Sequence, residues 1–317
     1  MTDTQNEVFK TPVNKIRLFE HGAPGSQNFK LTRKYYTEDM PDGRVKHIVQ
    51  NITDPDIVPY IPDGIGNSTD RQRIPAVLII PGGAFRRLVY NFEGEDVAKW
   101  LNSMGIAAFV LECRLPSDEH DNAEDVPLID AMRAMRVIRG RAQEFGIDEA
   151  KIGVMGFSAG GFMAALLSTA YESDVYADYK YKDEYDKLSA RPDFAVCSYP
   201  VISIDDCIEA GKRYMSEEQV LERISDSKAK ILHKYNPDKL VRPDMPPVFI
   251  CETDDDRTTL SENSVGFYMA ARKAGVIAEL HIFRTGGHGY GCGDDFAQTG
   301  EWKVLFTKWI KSIGIIS

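Results

Sequence analysis

The chain has 317 residues, 43% of them hydrophobic and 27% charged, and carries a formal net charge of -10. That length is enough for one large core or two modest ones. The acidity, with no Lys/Arg stripe, argues against a nucleic-acid partner and against attraction to an anionic membrane surface. No apolar run approaches the length of a membrane span, and the polar start Met1–Glu7 has no apolar stretch behind it of the kind a signal peptide needs. The expected setting is therefore cytoplasmic. The five cysteines, Cys113, Cys197, Cys207, Cys251 and Cys292, are scattered and form no Cys-x-x-Cys pair. They are expected to be free, mostly buried thiols rather than a redox or zinc site. No Pro/Gly/Ser linker divides the sequence, so 1–317 reads as a single domain.

Residues 1–40 are polar and poorly periodic, an N-terminal arm or early surface strands. Val45–Tyr60 reads as one or two short strands joined near Asp54-Pro55-Asp56, and Ile61–Arg73 as a turn. Ala76–Ile80 is a continuous apolar run suited to a strand buried on both faces, ended by Pro81-Gly82-Gly83. Glu93–Met104 has helical spacing, Ile106–Leu111 is the next buried strand, and Val126–Phe145 is a helix with Ile129, Met132, Met135 and Ile138 on its apolar side. Ile152–Met155 leads into Gly156-Phe157-Ser158-Ala159-Gly160-Gly161 and a further helix. Strands follow at Phe194–Tyr199, Pro247–Cys251 and Ala278–Phe283, and Trp302–Ile313 closes the chain as an amphipathic helix. Strands alternating with helices predict an α/β fold, a mostly parallel central sheet flanked by helices. Two charged segments, 171–187 and 205–235, interrupt the alternation and are candidate cap insertions over a site.

Gly156-x-Ser158-x-Gly160 between strand and helix is the pattern of a nucleophile elbow, which makes Ser158 the candidate nucleophile. A serine hydroxyl needs a base. His288, in the glycine-rich run Gly286–Gly291 after the last strand, is the one histidine of six with a suitable context. Any of Asp254, Asp255 and Asp256, after the strand ending near Cys251, could orient its imidazole; the chain order Ser–Asp–His is that of a hydrolase triad. The backbone N–H of Ala159, with that of Gly83 or Ala84, is the expected oxyanion hole. Phe85, Arg86 and Tyr290 flank these loops as candidate substrate contacts. The aspartate cluster has no His or Cys ligand near it in sequence, so neither a metal nor a cofactor is expected.

These motifs resemble those of the α/β-hydrolases of the acetyl-esterase and lipase-like type. More closely, the chain is similar to bacterial acetyl xylan esterase-like enzymes, some of which are called sugar hydrolases or feruloyl esterases. The resemblance runs from about Ile52 to Trp309. It rests on Ile80–Phe85, Glu93-Gly94, Ala107–Leu111 with Arg114-Leu115-Pro116, Gly156–Gly161, Arg191–Phe194, Pro246–Phe249, Glu262-Asn263-Ser264 and Gly286–Tyr290. It implies Asp256 as the acid, with Asp255 the alternative, because the family acid lies a few residues before Glu-Asn-Ser. It also implies a serine carboxylester hydrolase that removes short acyl groups, acetyl first, from carbohydrate or other small esters. A broader aryl or feruloyl esterase, a prolyl-peptidase-like hydrolase and a non-catalytic binding protein on the same fold are the alternatives. The chain departs from the family pattern at Ala84-Phe85, where a third glycine and a tyrosine are usual, at Cys113, where tyrosine is common, and in the polar turn Arg257-Thr258-Thr259. The sequence leaves the oligomeric state open, a homo-oligomer included.

Overall fold

The computed structural model describes residues 9, 14–64, 73–118, 120–213, 215–216, 218–220, 229–293 and 298–317. Eleven strands and eight α-helices are described: β1 Ile16–Arg17, β2 Lys34–Asp39, β3 Val45–Gln50, β4 Asp56–Tyr60, β5 Ile74–Ile80, β6 Leu88–Val89, α1 Asp96–Ser103, β7 Ala107–Glu112, α2 Val126–Gly140, α3 Ala142–Phe145, β8 Ile147–Phe157, α4 Ala159–Ala170, β9 Ala195–Ser198, α5 Ile204–Lys212, α6 Ala229–Lys234, β10 Val248–Thr253, α7 Ser261–Lys273, β11 Ala278–Phe283 and α8 Trp302–Ser312. The main sheet has the order β1-β4-β7-β5-β8-β9-β10-β11, and every pairing from β7 to β11 is parallel. Strands β4, β1 and the small sheet β2-β3-β6 are antiparallel. This is the mostly parallel α/β sheet that the alternation of elements predicts, in the arrangement that the resemblance to α/β-hydrolases implies.

The central strands are apolar from end to end because helices cover both their faces. Val77, Leu78, Ile79, Phe109, Val110 and Val154 are completely buried. Such a sheet offers ligands the crevice beyond the carboxyl ends of its strands. Ser158, Tyr199 and the aspartates 254–256 all sit there, immediately after β8, β9 and β10.

The arm engages buried charge. Lys15 Nζ and Arg33 Nη1 reach the fully buried Glu112 at 2.6 and 2.7 Å, and Arg33 also pairs with Asp56. Glu112 ends β7, so the arm neutralises a carboxylate that the sheet would otherwise bury unpaired. Arg114, two residues on, is itself fully buried and forms a two-pronged ion pair with Asp130 of α2.

The structure differs from the sequence reading in four places. The expected helix Val126–Phe145 breaks at Arg141, which has φ -103 and ψ 16, and a one-turn helix follows. The helix expected from Glu93 opens with a wide turn, Asn91–Glu95, closed by the bond from Glu95 N–H to Tyr90 O. Helix α7 has no counterpart in the reading, because its buried stripe contains Asn263 and Ser264 while Val265 and Met269 face outward. Segment 171–187 does not cover Ser158. It starts beyond the far end of α4, about 18 Å from that helix's first residue at 1.5 Å per residue. There it packs on α2 and the arm: Arg133 pairs with Asp183 and Asp186, and Tyr179 donates to Gly22 O. The described parts of 205–235 do lie beyond the carboxyl ends of the strands, where Lys234 pairs with Asp125 at the start of α2 and Arg213 with Glu262 at the start of α7. Residues 214, 217 and 221–228 of that segment, and 65–72 of the expected turn, lie outside the described residues. Cys113, Cys197 and Cys251 are buried free thiols and Cys292 is half-buried.

Among the described glycines, the closest backbone approaches lie at the turn from β8 into α4. A Cβ on Gly156 would lie 1.9 Å from Gly160 O, and one on Gly160 would lie 1.9 Å from Ile80 O. Both obstacles are backbone, so nothing can swing aside. Gly160→Ala is expected to cost more than about 3 kcal/mol, the upper range for overpacking a core, measured by urea unfolding. Ala substituted at the open position Gly266, inside α7 with nothing within 4 Å of its added Cβ, is expected to stabilise by about 0.5–1 kcal/mol.

Candidate active site

Ser158 is held at φ 54 and ψ -118, a backbone conformation unusual for a residue with a side chain. Its N–H donates to Ser198 O at 3.0 Å, and its carbonyl accepts the first bond of α4 from Phe162 N–H at 3.0 Å. The hydroxyl is thereby pushed up between strand and helix. His288 Nε2 lies 2.8 Å from Ser158 Oγ, and His288 Nδ1 lies 2.6 Å from Asp256 Oδ2. The three side chains come from loops after three different strands, in the order serine, acid, histidine.

The aspartate cluster resolves by burial. Asp254 and Asp255 are exposed, whereas Asp256 is 2% exposed. Asp256 Oδ1 accepts from the N–H groups of Thr258 and Thr259 at 2.7 and 3.0 Å, and Thr259 Oγ1 donates to Oδ2 at 3.0 Å. Desolvation pushes the Asp256 carboxyl up, but the hydrogen bond and charge of His288 and the backbone donors outweigh it and hold it below the ordinary value. Asp255 instead accepts from Gly287 N–H at 2.8 Å and pins the histidine loop. A second carboxyl, Glu252, lies buried beneath. Desolvation, then the negative charge of Asp256, pushes it well above its ordinary value. Two neighbouring carboxyls are driven apart in acidity, so the charge under the imidazole belongs to Asp256.

The loop after β5 brings Gly82, Gly83 and Ala84 beside the serine. A Cβ on Gly82 would be 3.0 Å from Ser158 Cβ. The N–H of Gly82 is taken by Glu93 Oε2 at 2.9 Å. Gly83 and Ala84 follow Gly82 on the same loop, and Ala159 stands at the first position of α4, where an N–H has no partner within the helix. Phe85 is buried edge-on against Phe162 and lines a small, mostly apolar crevice with Leu88, Leu115, Pro116, Ala159 and Met163. Arg86 is exposed on the same loop. Tyr290 requires a correction as a candidate substrate contact. It is 5% exposed, packed edge-on to Tyr199 with centroids 4.5 Å apart and directed toward Cys251. Its ring is apolar bulk that the histidine loop buries under itself. Among the described residues, no three His, Cys, Asp or Glu side chains converge as a metal site would require.

Two further residues belong to the site although the sequence reading gives neither a role. Glu93 is buried to 5% exposure beneath the loop of Gly82, and Tyr199 OH donates to its Oε1 at 2.9 Å. Glu93 stood next to a glycine before a helix and Tyr199 at the end of a strand. Only the apolar surroundings of an acid, visible after folding, single out Glu93.

The geometry sets two expectations. Asp256→Asn is expected to slow labelling of Ser158 by a fluorophosphonate by about 10⁴-fold, the scale of losing the imidazole's correct tautomer, with Asp255→Asn within about threefold of wild type. The lowered Asp256 acidity also has a sign in stability. Its contribution is present above the ordinary carboxylate range and is lost as the pH falls through the lowered value. Asp256→Asn should therefore flatten the acid side of a plot of unfolding free energy against pH.

The BD-FAE family matches residues 65–270, well over half of the chain. An acetylxylan esterase of Xylanibacter ruminicola is 31% identical over 240 residues, 75% of this chain and 45% of that protein. Endo-1,4-beta-xylanase B of Butyrivibrio fibrisolvens is 29% identical over 82% of this chain and 40% of its own length. This chain thus matches less than half the length of either relative. Among solved structures, an acetyl ester-xyloside bifunctional hydrolase from Caldicellulosiruptor lactoaceticus is 35% identical, with a TM-score of 0.72 over 96% of this chain and 97% of that one. A carboxylesterase from Lactobacillus plantarum shares the fold at 20% identity and a TM-score of 0.67, over 90% of this chain and 99% of that one. No described helix is long and apolar enough to cross a membrane. By the extent of the family match and by its sheet, the chain belongs to the BD-FAE family and has the α/β-hydrolase fold.

Proposed function

We propose that this protein is a serine carboxylester hydrolase that removes acetyl or other short acyl groups from small esters, with acetylated oligosaccharides as the natural class. The observation that carries this reading is the continuous relay Asp256–His288–Ser158, with bonds of 2.6 and 2.8 Å, beside backbone donors from two loops. The names of the Xylanibacter and Caldicellulosiruptor proteins, an acetylxylan esterase and an acetyl ester-xyloside hydrolase, support acetyl as the acyl group and a xyloside-like sugar as the alcohol.

In this reading His288 Nε2 takes the Ser158 proton as Oγ attacks the ester carbonyl carbon. The carbonyl oxygen becomes an oxyanion held by the N–H of Ala159 and that of Gly83 or Ala84. Collapse breaks the bond to the alcohol oxygen, which leaves with the proton from His288. Water then gives a proton to His288 and attacks the acyl-serine through the same oxyanion site. Ser158 leaves, recovers the proton, and the carboxylic acid is released. Asp256 keeps its charge and steadies the imidazolium. The chemistry asks for no cofactor or metal. The small apolar crevice that borders Ala159 and Phe85 supports a small acyl group over a long one. Arg86 on the rim is a candidate to meet the alcohol's hydroxyls. The described parts of segment 205–235 are proposed to cap the site within one α/β-hydrolase domain, and a cytoplasmic setting would favour oligosaccharides over polymeric xylan.

The test is acetate release from acetylated xylo-oligosaccharides and p-nitrophenol release from acetate, butyrate and octanoate esters. The expected result is turnover of the acetylated sugars and at least about tenfold preference for the acetyl over the octanoyl ester. Ser158→Ala is expected to lower kcat by about 10⁶-fold. Preference for feruloyl or long-chain esters would overturn the acetyl assignment, and full activity of Ser158→Ala would overturn the mechanism.

A further inference from the structure

Glu93 and Tyr199 take no part in the proton transfers above, yet they form a hydrogen-bonded path between the oxyanion loop and the histidine loop. Glu93 Oε2 accepts from Gly82 N–H at 2.9 Å, and Glu93 Oε1 accepts from Tyr199 OH at 2.9 Å. The Tyr199 oxygen in turn accepts from Gly291 N–H at 3.0 Å, three residues beyond His288. The Tyr199 ring stands edge-on to the His288 ring, with centroids 5.0 Å apart. Tyr199 is itself held at φ 37, its N–H on Cys251 O at 2.7 Å and its carbonyl 3.2 Å from Thr259 Oγ1. That threonine hydroxyl also lies 3.0 Å from Asp256 Oδ2.

We propose that Glu93, acting through Tyr199, is a positioning residue that locks the oxyanion loop and the His288 loop into one frame around Ser158. The inference rests on the esterase reading of the site. A buried carboxyl is a costly way to fill space, and here both of its oxygens are spent on elements that carry catalytic groups. Occupying Gly82 N–H also aims the oxyanion loop, since the following N–H groups of Gly83 and Ala84 are then the ones turned to the substrate. A misplacement of about 1 Å in such a frame is enough to cost about 10²-fold in rate. Desolvation pushes the Glu93 carboxyl above its ordinary value, while His288 pulls the other way. Formation of the imidazolium therefore favours the charged form of Glu93.

The experiment compares wild type, Ser158→Ala, Glu93→Gln, Glu93→Ala, Tyr199→Phe and the Glu93→Gln/Tyr199→Phe double variant on p-nitrophenyl acetate, with folding checked by far-UV circular dichroism and thermal unfolding. Glutamine keeps the shape and one acceptor for Gly82 but loses the charge. Glu93→Gln and Tyr199→Phe are expected to lower kcat by about 10- to 100-fold with KM within about threefold. The double variant should fall no further than the worse single, because the two act as one unit. Glu93→Gln should retain more activity than Glu93→Ala and alter the pH profile of kcat. Folded single variants with kcat within twofold of wild type, or fully additive losses, would overturn the proposal. If wild type shows no hydrolysis that Ser158→Ala removes, the esterase reading falls instead. The frame is then read by amide hydrogen exchange in the peptides covering 80–86 and 286–292. Faster exchange in both for Glu93→Ala supports it, and exchange unchanged in either overturns it.

Discussion

The rest of the site depends on a steric constraint, the contact of backbone with backbone at the end of β8. Gly156 and Gly160 let α4 start within touching distance of β5 and β8, and this closeness forces Ser158 into its unusual conformation. The strain has a use. It lifts the hydroxyl out of the sheet at the first turn of α4, where Oγ lies 2.8 Å from His288 Nε2.

Around that fixed point the remaining groups are arranged by electrostatics at low dielectric. Three carboxyls lie within the buried layer beneath the site, and they are not equivalent. Asp256 has two backbone donors, a hydroxyl and an imidazole, which hold it ionised against desolvation. Glu252, next to that charge, is driven toward its neutral form. Glu93 is also pushed up by burial, yet it is engaged by a backbone N–H and a phenol from two separate loops. Hydrogen-bond donors, rather than proximity to the histidine alone, decide which acid carries charge.

The strand pattern, the elbow, His288 and the chain order were legible because each rests on local physics. Continuous apolar runs signal strands buried on both faces, and glycine at fixed spacing signals a close approach. The elements misread were those where tertiary packing reverses a local signal. Helix α7 buries Asn263, whose side-chain oxygen accepts from Ile202 and Ser203 N–H groups, and so presents an inverted pattern. Segment 171–187 resembled a cap in composition. Its acids answer arginines of α2 instead, and nothing in its own sequence names that partner.

The sequence by itself determined the fold class, the identity of the candidate nucleophile and base, and the two loops proposed to supply oxyanion donors, since these follow from periodicity and from residues whose spacing has one steric explanation. Only the tertiary structure decided among Asp254, Asp255 and Asp256, removed Tyr290 from the substrate side, and joined Glu93 to Tyr199 beneath the serine. Those assignments depend on burial and on donors contributed from distant parts of the chain, and a carboxylate in solvent and a carboxylate under an imidazole are written with the same letter.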